Sequence, residues 1–429
     1  SMKYKTPIAI LMFGRICSGK TTFAKNLERN NNFYVISKDR CILESELKKR
    51  SGENHSWEHI RELSVEDAIN MRANVVVDET ARIGRISSFK KAGYEIIGVN
   101  LDISIELCRQ RLENRLKRRN EILISLSNII NIDVINMPQN KRRDLWCNSE
   151  IVNSIPYTLQ KEFNDLINEI YTLGCDYIKE EYPNPACFPE LDYVVELNEN
   201  VNLYNVSLNE VIEQKIPYNV YLRSQLSKIK YCIWDIGGVV YDFSLIPLDK
   251  WCKEHTMNVE KQNFKYSIKK YDFDDYMKGF VTFEKLCKDI CNYYDIQYDP
   301  QYLIDIEQAL WLGVSNDFDI THRLLVHMKE QGIKNCILSN ALPILLESGK
   351  YQEFIDTKNR FYSFDLHMLK PSPDIYIKVK DILECDFHNI VFVDDKEENV
   401  NAAKELGIYS ILFSNNIMLD PFFQFTYGK

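Results

Sequence analysis

The sequence is poor in the features that build disulfide scaffolds or structural zinc sites. Its twelve cysteines are scattered singly, no Cys-x-x-Cys pair occurs, and the closest two, Cys287 and Cys291, have no histidine cluster near them. Structural zinc sites and small secreted scaffolds need closely paired cysteines. We therefore expect reduced thiols and a cytoplasmic location.

Long hydrophobic runs and an excess of positive charge are also missing. The apolar run at residues 7–13 (PIAILMF) is too short to span a bilayer, so we expect no membrane partner and no signal peptide. The formal net charge of −9 argues against a broad surface that coats nucleic acid. The 429 residues, 45% of them hydrophobic, are enough for ordinary cores in two or three domains.

The first part of the chain alternates short apolar strands with helix-like stretches. The strands are IAILMF, FYVI, NVVVD and EIIGVNL, at residues 8–13, 33–36, 74–78 and 95–101. A mostly helical region follows, and LDYVVEL (residues 191–197) then predicts one more strand, followed by a helix at SLNEVIEQKI. The pattern predicts a parallel-sheet domain over residues 1–227 with a helical insertion at about 120–188.

The alternation resumes at Ile229. The strands YCIWDI, NCILSN, IVFVDD and YSILF begin at residues 231, 335, 390 and 409, and a purely helical, aromatic-rich insertion lies at about 245–317. This pattern predicts a second domain over residues 228–429. The expected fold class is therefore α/β, with two doubly wound parallel-sheet domains, the second covered by a helical cap.

A phosphate-binding loop is predicted at residues 14–21. The segment GRICSGKT matches G-x-x-x-x-G-K-[ST] between a strand and a helix. Backbone N–H groups of such a loop point at phosphates, Lys20 can neutralise them, and Thr21 can hold Mg²⁺. The alternative is an ordinary glycine turn with a capping hydroxyl, but the flanking strand and helix favour the loop. We predict ATP or another nucleoside triphosphate, with Mg²⁺, on Gly14, Ser18, Gly19, Lys20, Thr21 and Thr22.

Two carboxylates and a basic helix follow this loop. Asp39, just after the second strand, either accepts a proton from an attacking hydroxyl or caps a helix. Asp78 ends the third strand, where a carboxylate can assist magnesium or position the acceptor. Arg111, Arg115 and Arg118 recur at helical spacing, as either a lid over phosphate or a solvated basic face. Their position directly after the fourth strand favours the lid.

These motifs resemble the P-loop kinases related to polynucleotide 5′-kinase and zeta-toxin kinases. The shared segments are GRICSGKTTFA, YVISKDR, VVVDET, GYEIIGVNLD and RLENR, within about residues 5–115. The resemblance implies that Asp39 is the general base and that Arg111 and Arg115 clamp phosphate. Polynucleotide kinases usually carry an arginine three residues after that aspartate. Here the residue is Ile42, which weighs against recognition of nucleic-acid 5′ ends and leaves Arg40 as the candidate substitute.

Four further motifs occur in a fixed order in the second half. They are IWDIGG with Asp235, CILSN with Ser339, LKPSPDIY with Lys370, and VFVDDKEEN with Asp394 and Asp395. Except for the lysine segment, each lies at the end of an apolar strand, and a parallel sheet gathers such ends at one edge.

The residue types of this second site suit phosphomonoester hydrolysis. Asp235 can attack phosphorus and form an aspartyl-phosphate, while Ser339 and Lys370 hold the transferring phosphoryl group. We predict Mg²⁺ on Asp235, the Gly237 carbonyl and the acidic pair Asp394 and Asp395, because magnesium prefers oxygen ligands.

The four motifs resemble the haloacid-dehalogenase superfamily over about residues 229–415. The likeness is greatest to its capped sugar-phosphate phosphatase branch, the glucose-1-phosphatase type, through DIGGVV, LKPSPDIY and DDKEEN. Many such phosphatases have a second aspartate that protonates the leaving group, and here that position is Gly237. It is commonly absent in this branch, for which the resemblance still implies hydrolysis. A silent scaffold and a dehalogenase that attacks carbon are the alternatives.

The sequence thus predicts a bifunctional kinase and phosphatase. A helical cap excludes large substrates, so the expected substrate is a small molecule such as a nucleotide or sugar phosphate. The domain order also matches phage-type enzymes that phosphorylate 5′ ends and remove 3′ phosphates, which leaves nucleic-acid ends as an alternative substrate. A regulatory nucleotide-binding protein with a silent second domain is the third hypothesis.

Overall fold

The chain divides into two compact units, Ser1–Tyr221 and Leu222–Lys429. The computed structural model describes residues 5–78, 86–138, 178–263, 265–269, 273–346 and 353–429, together with 141, 153 and 155–157. The domain limits of 1–227 and 228–429, which were drawn from sequence pattern, stay predictions beside this division. Much of the predicted insertion at about 120–188 lies outside the described residues. None of the described helices is both long enough and apolar enough to cross a membrane.

The first unit is built on a six-stranded sheet in the order β2-β3-β1-β4-β5-β6. Its strands are β1 (Ile8–Phe13), β2 (Tyr34–Ser37), β3 (Val75–Asp78), β4 (Glu95–Asp102), β5 (Tyr193–Asn198) and β6 (Ile216–Pro217). The first five strands run parallel, which confirms the predicted βα architecture, and β6 pairs antiparallel with β5. The helix predicted over SLNEVIEQKI is wrong at its end, because Ile216 and Pro217 instead form this edge strand.

Helices flank the first sheet, and serine hydroxyls cap four of them. The helices are α1 (Lys20–Asn31), α2 (Lys38–Arg50), α3 (Trp57–Asn70), α4 (Ile86–Lys91), α5 (Ile105–Ile130), α6 (Leu208–Glu213) and α7 (Tyr218–Leu226). The side chains of Ser37, Ser56, Ser104 and Ser207 accept a backbone N–H at the starts of α2, α3, α5 and α6. Buried Phe23 and Leu27 from α1 and Leu112 from α5 belong to the same core as strand residues Met12 and Val99.

The second unit has a five-stranded, all-parallel sheet in the order β11-β10-β7-β12-β13. Its strands, with a separate two-stranded ribbon of β8 and β9, are β7 (Tyr231–Trp234), β8 (Tyr241–Phe243), β9 (Val314–Asp317), β10 (Lys334–Ser339), β11 (Arg360–Tyr362), β12 (Ile390–Asp394) and β13 (Tyr409–Leu412). The sequence pattern missed β11, because three residues are too few to show a period.

The cap is mostly helical and has a core of its own. Its helices are α8 (Ile246–His255), α9 (Asp274–Met277), α10 (Phe283–Tyr293) and α11 (Tyr302–Leu312). Phe273, Tyr276 and Tyr294 are buried in that core with Cys287 and Cys291, both free thiols. The prediction of a purely helical insertion is wrong at residues 314–317. Those residues form β9, which is stabilised by antiparallel pairing with β8.

The remaining helices surround the second sheet. They are α12 (Asp319–Glu330), α13 (Ser363–Leu366), α14 (Pro373–Leu383), α15 (Glu397–Glu405) and α16 (Pro421–Tyr427). Ile375 and Val379 of α14 and Ala403 of α15 share a buried cluster with Ile233 of β7 and Phe392 of β12. This packing fixes the central strands whose ends carry the predicted catalytic side chains.

Candidate active sites

The conformation of the loop between β1 and α1 depends on two glycines. Gly14 and Gly19 have φ values of 149° and 109°, a region that side chains rarely adopt. A Cβ atom at Gly14 would lie 2.6 Å from Ser18 Oγ, and one at Gly19 would lie 2.5 Å from Leu203 Cδ1. Both glycines of the motif are therefore required by conformation and by space. Ser18 is fully buried, and its Oγ has no protein partner among the described residues.

The Lys20 ammonium group lies inside this loop. Its Nζ donates to the Gly14 carbonyl at 2.6 Å. Burial lowers the pKa of Lys20, and the negative charges of Asp78 and Asp39 partly oppose that shift. A buried cation that donates to a loop carbonyl is poised to neutralise an anionic ligand.

A hydroxyl and a carboxylate meet beside the loop at the carboxyl ends of β1 and β3. Thr21 Oγ1 donates to Asp78 Oδ2 at 2.9 Å. Burial raises the pKa of Asp78, against the opposing effects of the Thr21 hydrogen bond and Lys20. Hydroxyl and carboxylate oxygens are hard donors, so these two residues fit Mg²⁺. Thr22 lines the cleft that adjoins this loop, together with Lys20 and Thr21.

Two arginines of helix α5 contact the phosphate-binding loop. Arg111 Nη1 donates to the carbonyls of Cys17 and Ser18 at 3.1 and 3.2 Å, and Arg115 Nη1 lies 3.7 Å from Cys17 Sγ. These contacts place both arginines at the loop. Arg118 lies about one turn of α5 beyond Arg115 and is not among the described residues that line the cleft at this loop.

A cleft of about 620 Å³ opens above the loop, which is a volume typical of ligand sites. Residues 199–204, which follow β5, form one wall of this cleft. Arg111 and Arg115 also line the cleft. Asn26 holds that wall in place, because its Nδ2 donates to the carbonyls of Leu203 and Val206 at 3.2 and 2.9 Å. The sequence reasoning missed this wall, since only the fold brings it to the loop.

Asp39 does not cap a helix. The N-cap of α2 is Ser37, whose Oγ accepts from the Arg40 backbone N–H at 3.4 Å. The alternative role of Asp39 as a cap is therefore wrong. Its side chain is exposed in the first turn of α2, and its charge acts on Lys20. The predicted role of general base is compatible with this position and stays a prediction.

The two residues weighed for nucleic-acid phosphate recognition beside Asp39, Arg40 and Ile42, are both engaged in other contacts. Arg40 is held by Glu28 through two hydrogen bonds of 2.7 and 3.0 Å. Ile42 packs against an apolar cluster that contains Leu123 and Leu126 of α5. The side chain at position 42 thus contributes to packing, and Arg40 already has a partner.

In the second unit, three neighbouring strands bring the predicted catalytic residues together. Ser339 ends β10, Asp235 follows β7 and Asp394 ends β12, and these strands are adjacent in the sheet. All three residues are buried. These three residues therefore lie at one edge of the sheet, as expected from the sequence.

Lys370 links the two buried aspartates. Its Nζ donates to Asp235 Oδ1 at 2.9 Å, to Asp394 Oδ2 at 2.8 Å and to the Leu338 carbonyl at 2.8 Å. Burial alone would lower the pKa of Lys370, but the two carboxylates more than offset it and raise the pKa. Lys370 therefore stays charged and can neutralise phosphoryl oxygens.

Three carboxylates form a candidate metal centre. Oxygens of Asp235, Asp394 and Asp395 lie within 4.8 Å of one another. Although much of the Asp395 side chain meets solvent, desolvation of its carboxyl group and repulsion from Asp235 and Asp394 raise its pKa to about 7. Three carboxylate groups offer the oxygen ligands and the negative charge that Mg²⁺ prefers. A bound Mg²⁺ would also reduce the repulsion between these carboxylates. Gly238, with φ 85°, is required beside it, since a Cβ atom there would lie 2.1 Å from Asp395 Oδ2.

Two asparagines support this site. Asn399 Nδ2 donates to Asp394 Oδ2 at 3.1 Å, and Asn340 exchanges hydrogen bonds of 3.0 and 2.9 Å with the backbone of Lys370. The sequence analysis gave a role to neither. Their positions inside the CILSN and VFVDDKEEN motifs were the available indication.

The site has room at Gly237. A Cβ atom built there meets only Phe243 Cβ, at 3.9 Å, and the backbone does not have the positive φ that would exclude a side chain. Gly237 and Ser339 line a small cavity whose other wall is apolar, with Phe243, Leu342 and Leu345. The second aspartate weighed from the sequence is thus a glycine here, at a position where a Cβ atom makes no close contact with the described residues.

Comparison with known proteins assigns a different class to each part of the chain. Residues 10–125 match the family model described as an AAA domain, and residues 229–407 match the one described as a haloacid dehalogenase-like hydrolase. The chain therefore joins a P-loop domain of the kinase-like AAA type to a haloacid dehalogenase-like hydrolase domain.

Two curated relatives are similar to part of this chain. D-ribitol-5-phosphate phosphatase of Bacteroides thetaiotaomicron is 25% identical over 198 residues, which are 42% of this chain and 89% of that protein. Bifunctional epoxide hydrolase 2 of Mus musculus is 26% identical over 101 residues, which are 21% of this chain. This chain spans only 17% of the length of the mouse protein.

Similar solved structures are also haloacid-dehalogenase enzymes. One is a family enzyme from Bacteroides thetaiotaomicron in complex with magnesium and inorganic phosphate, with 21% identity, a TM-score of 0.36, and coverage of 43% of this chain and 94% of that one. Another is L-2-haloacid dehalogenase from Xanthobacter autotrophicus, with 18% identity, a TM-score of 0.32, and coverage of 46% and 87%.

Proposed function

We propose that the second unit hydrolyses small phosphomonoesters with Asp235 as the nucleophile. The observation that carries this proposal is the ammonium group of Lys370, which bridges Asp235 and Asp394 inside a cluster of three carboxylates. A dehalogenase that attacks carbon would have little use for that acidic cluster. The cap and the similarity to a D-ribitol-5-phosphate phosphatase favour a sugar or alditol phosphate as substrate.

The reaction has two steps. In the first, an oxygen of Asp235 forms a bond to phosphorus, the ester P–O bond breaks, and the alcohol leaves with a proton from water, a cap residue or the substrate itself. In the second, water attacks phosphorus, the carboxylate of Asp235 is regenerated, and phosphate is released. Lys370 and Ser339 donate to the phosphoryl oxygens in both steps. Magnesium, when bound by the carboxylates and the Gly237 carbonyl, supplies charge neutralisation.

We also propose that the first unit transfers the γ-phosphoryl group of a nucleoside triphosphate to a hydroxyl. Support comes from Lys20 inside the loop, from the Thr21–Asp78 hydrogen bond, and from the arginines of α5 over the cleft. The acceptor oxygen attacks phosphorus, the bond to the β-phosphate oxygen breaks, and Asp39 accepts the hydroxyl proton.

One parallel screen tests both activities. Hydroxyl acceptors and phosphomonoesters are offered to the wild type, Lys20→Ala and Asp235→Asn. We expect Lys20→Ala to lose only phosphoryl transfer and Asp235→Asn to lose only hydrolysis. Loss of both activities in either variant, with the fold intact, would contradict separate sites.

The alternative of nucleic-acid end healing rests on the order of the two domains. It requires γ-labelled ATP to label 5′-hydroxyl oligonucleotides, whereas transfer to a metabolite alone would exclude it. The Arg40–Glu28 pair and the packed Ile42 argue against it. A regulatory role without turnover requires that the biological effect survive both Lys20→Ala and Asp235→Asn.

A further inference from the structure

A second cleft lies along α2 and shares no lining residue with the cleft above the phosphate-binding loop. Its volume is about 580 Å³, within the range of small-molecule sites. The lining residues are Ile42, Ser45, Glu46, Lys49, Asn54, His55, Ser56 and Trp57. Helix α2 therefore supplies one wall, and the segment before α3 supplies the other.

The α2 wall continues the face that carries the predicted general base. Asp39, Ile42, Glu46 and Lys49 follow one another at intervals of three or four residues, so they lie along one side of the helix. Asp39 is one turn from Ile42, and its charge acts on Lys20 in the phosphate-binding loop. The cleft therefore lies along the side of α2 that also carries Asp39, one turn beyond its lining residue Ile42.

The opposite wall is braced by its own hydrogen bonds. Ser45 Oγ donates to the His55 carbonyl at 2.7 Å, and Ser56 Oγ accepts from the His59 backbone N–H at 3.2 Å to start α3. The Asn54 amide and the His55 ring line this cleft, and the His55 ring is positioned by stacking on His59, at 5.8 Å between ring centroids, with its Nε2 3.8 Å from Glu53 Oε2. Preformed walls reduce the entropy that a ligand must lose on binding.

The charge of the cleft is nearly balanced. Lys49 is the one lysine or arginine among its lining residues, and its Nζ lies 3.2 Å from Glu46 Oε1. Two further cations nearby lie over the Trp57 ring, Lys38 at 5.1 Å and Arg61 at 4.5 Å from the ring centroid. Arg61 is only 2% exposed. A nucleic-acid backbone needs a series of accessible cations, which this lining does not provide.

We infer that this cleft binds the phosphoryl acceptor, and that the acceptor is a neutral polyhydroxylated small molecule such as a sugar or an alditol. The inference rests on the proposed kinase function. Hydroxyl groups suit the Asn54 amide and the His55 imidazole, while Trp57 and Ile42 accommodate the C–H surface of such a molecule. The hydroxyl at Asp39 attacks the γ-phosphorus, its proton passes to Asp39, and the nucleoside diphosphate leaves.

Binding and transfer are measured separately. Ribitol, D-ribose and a 5′-hydroxyl DNA 12-mer are titrated into the full chain by ligand-observed NMR, with the wild type, Asn54→Ala and Asn70→Ala. Asn70 is an exposed asparagine at the end of α3, outside the cleft, and serves as the matched control. Binding of a fluorescent ATP analogue confirms that each variant is folded.

We expect at least one polyol to bind the wild type, to bind Asn54→Ala about fivefold more weakly through the loss of one hydrogen bond, and to bind Asn70→Ala unchanged. The inference would be overturned if only the DNA bound or if no probe bound. It would also be overturned if Asn54→Ala left the affinity for the polyol unchanged. Polyol binding with that pattern but without transfer from ATP would refute the kinase proposal, and with it the acceptor role, and would leave the cleft as a polyol-binding site.

Discussion

The two sites handle phosphate with different charge arrangements. In the first, backbone N–H groups and Lys20 lie at a loop that Arg111 and Arg115 also reach, with the carboxylates of Asp39, Asp78 and Glu199 nearby. In the second, Lys370 faces three carboxylates and is held by two of them. The first site is ready for an anion, whereas the second must gain a cation before a phosphate can approach its nucleophile.

The largest expected effect is on the carboxylate-rich site. Asp235→Asn removes the nucleophile, so phosphatase kcat should fall by at least about 10³-fold. Phosphate release from a small phosphomonoester is the measurement, and phosphoryl transfer by the same variant is the internal control. Near-normal hydrolysis would show that Asp235 is not the nucleophile.

The matching change in the loop site is Lys20→Ala. Loss of the cation that neutralises the transferred phosphate should reduce kinase kcat/KM by about 10²-fold or more, while hydrolysis by the second unit stays unchanged. Transfer from γ-labelled ATP measures it. Lys91→Ala, an exposed lysine at the end of α4, is the control and should behave as the wild type.

Gly237→Asp probes the acid that the second site lacks. The open space at Gly237 should admit the side chain without unfolding, and an added acid should matter most for poor leaving groups. We expect an active wild type, and up to about tenfold faster hydrolysis of alkyl phosphates, but not of aryl phosphates, in the variant. An inert wild type that Gly237→Asp activates would mean that the glycine disables the site.

The pKa of Asp395 makes metal binding depend on pH. A carboxyl group whose pKa is raised from its usual value to about 7 contributes stability while it is protonated, and the metal-free protein loses that contribution as pH rises through about 7. Mg²⁺ needs the ionised form, so its stabilising effect should be larger at pH 8 than at pH 6, by a few degrees in Tm.

Thermal unfolding with Mg²⁺ and with EDTA at both pH values measures this effect. Asp395→Asn should remove most of the pH dependence of the Mg²⁺ effect, because the substituted side chain does not titrate. A Mg²⁺ effect that is equally large at both pH values in the wild type would contradict the prediction.

The smallest expected effect is at Arg40. The Arg40–Glu28 pair is about 40% exposed, so Arg40→Ala should cost less than about 1 kcal/mol of stability. Because Arg40 already has a partner, the KM for nucleotide and acceptor should change by no more than about twofold. Steady-state kinetics of Arg40→Ala and Glu28→Ala, compared with the wild type, measure these KM values. A loss of acceptor affinity in Arg40→Ala alone would assign Arg40 to substrate binding.

Local sequence determined the elements that carry chemistry. Each β-strand that ends at a site residue is a short apolar run, and the phosphate-binding loop follows from two glycines that its backbone requires. The apolar runs that lead to Asp235, Ser339 and Asp394 were enough to predict one sheet edge, because parallel strands bring their carboxyl ends together. These features depend on neighbours in the chain, which the sequence shows directly.

Only the tertiary structure decided the features that depend on distant partners. Glu28 engages Arg40, and β9 exists because β8 pairs with it. The wall at residues 199–204 and the cleft along α2 likewise arise from packing. The sequence by itself determined the residue types of the two predicted phosphate sites. Which side chains are engaged and which face a ligand was decided by contacts between segments far apart in the chain, and no local pattern encodes them.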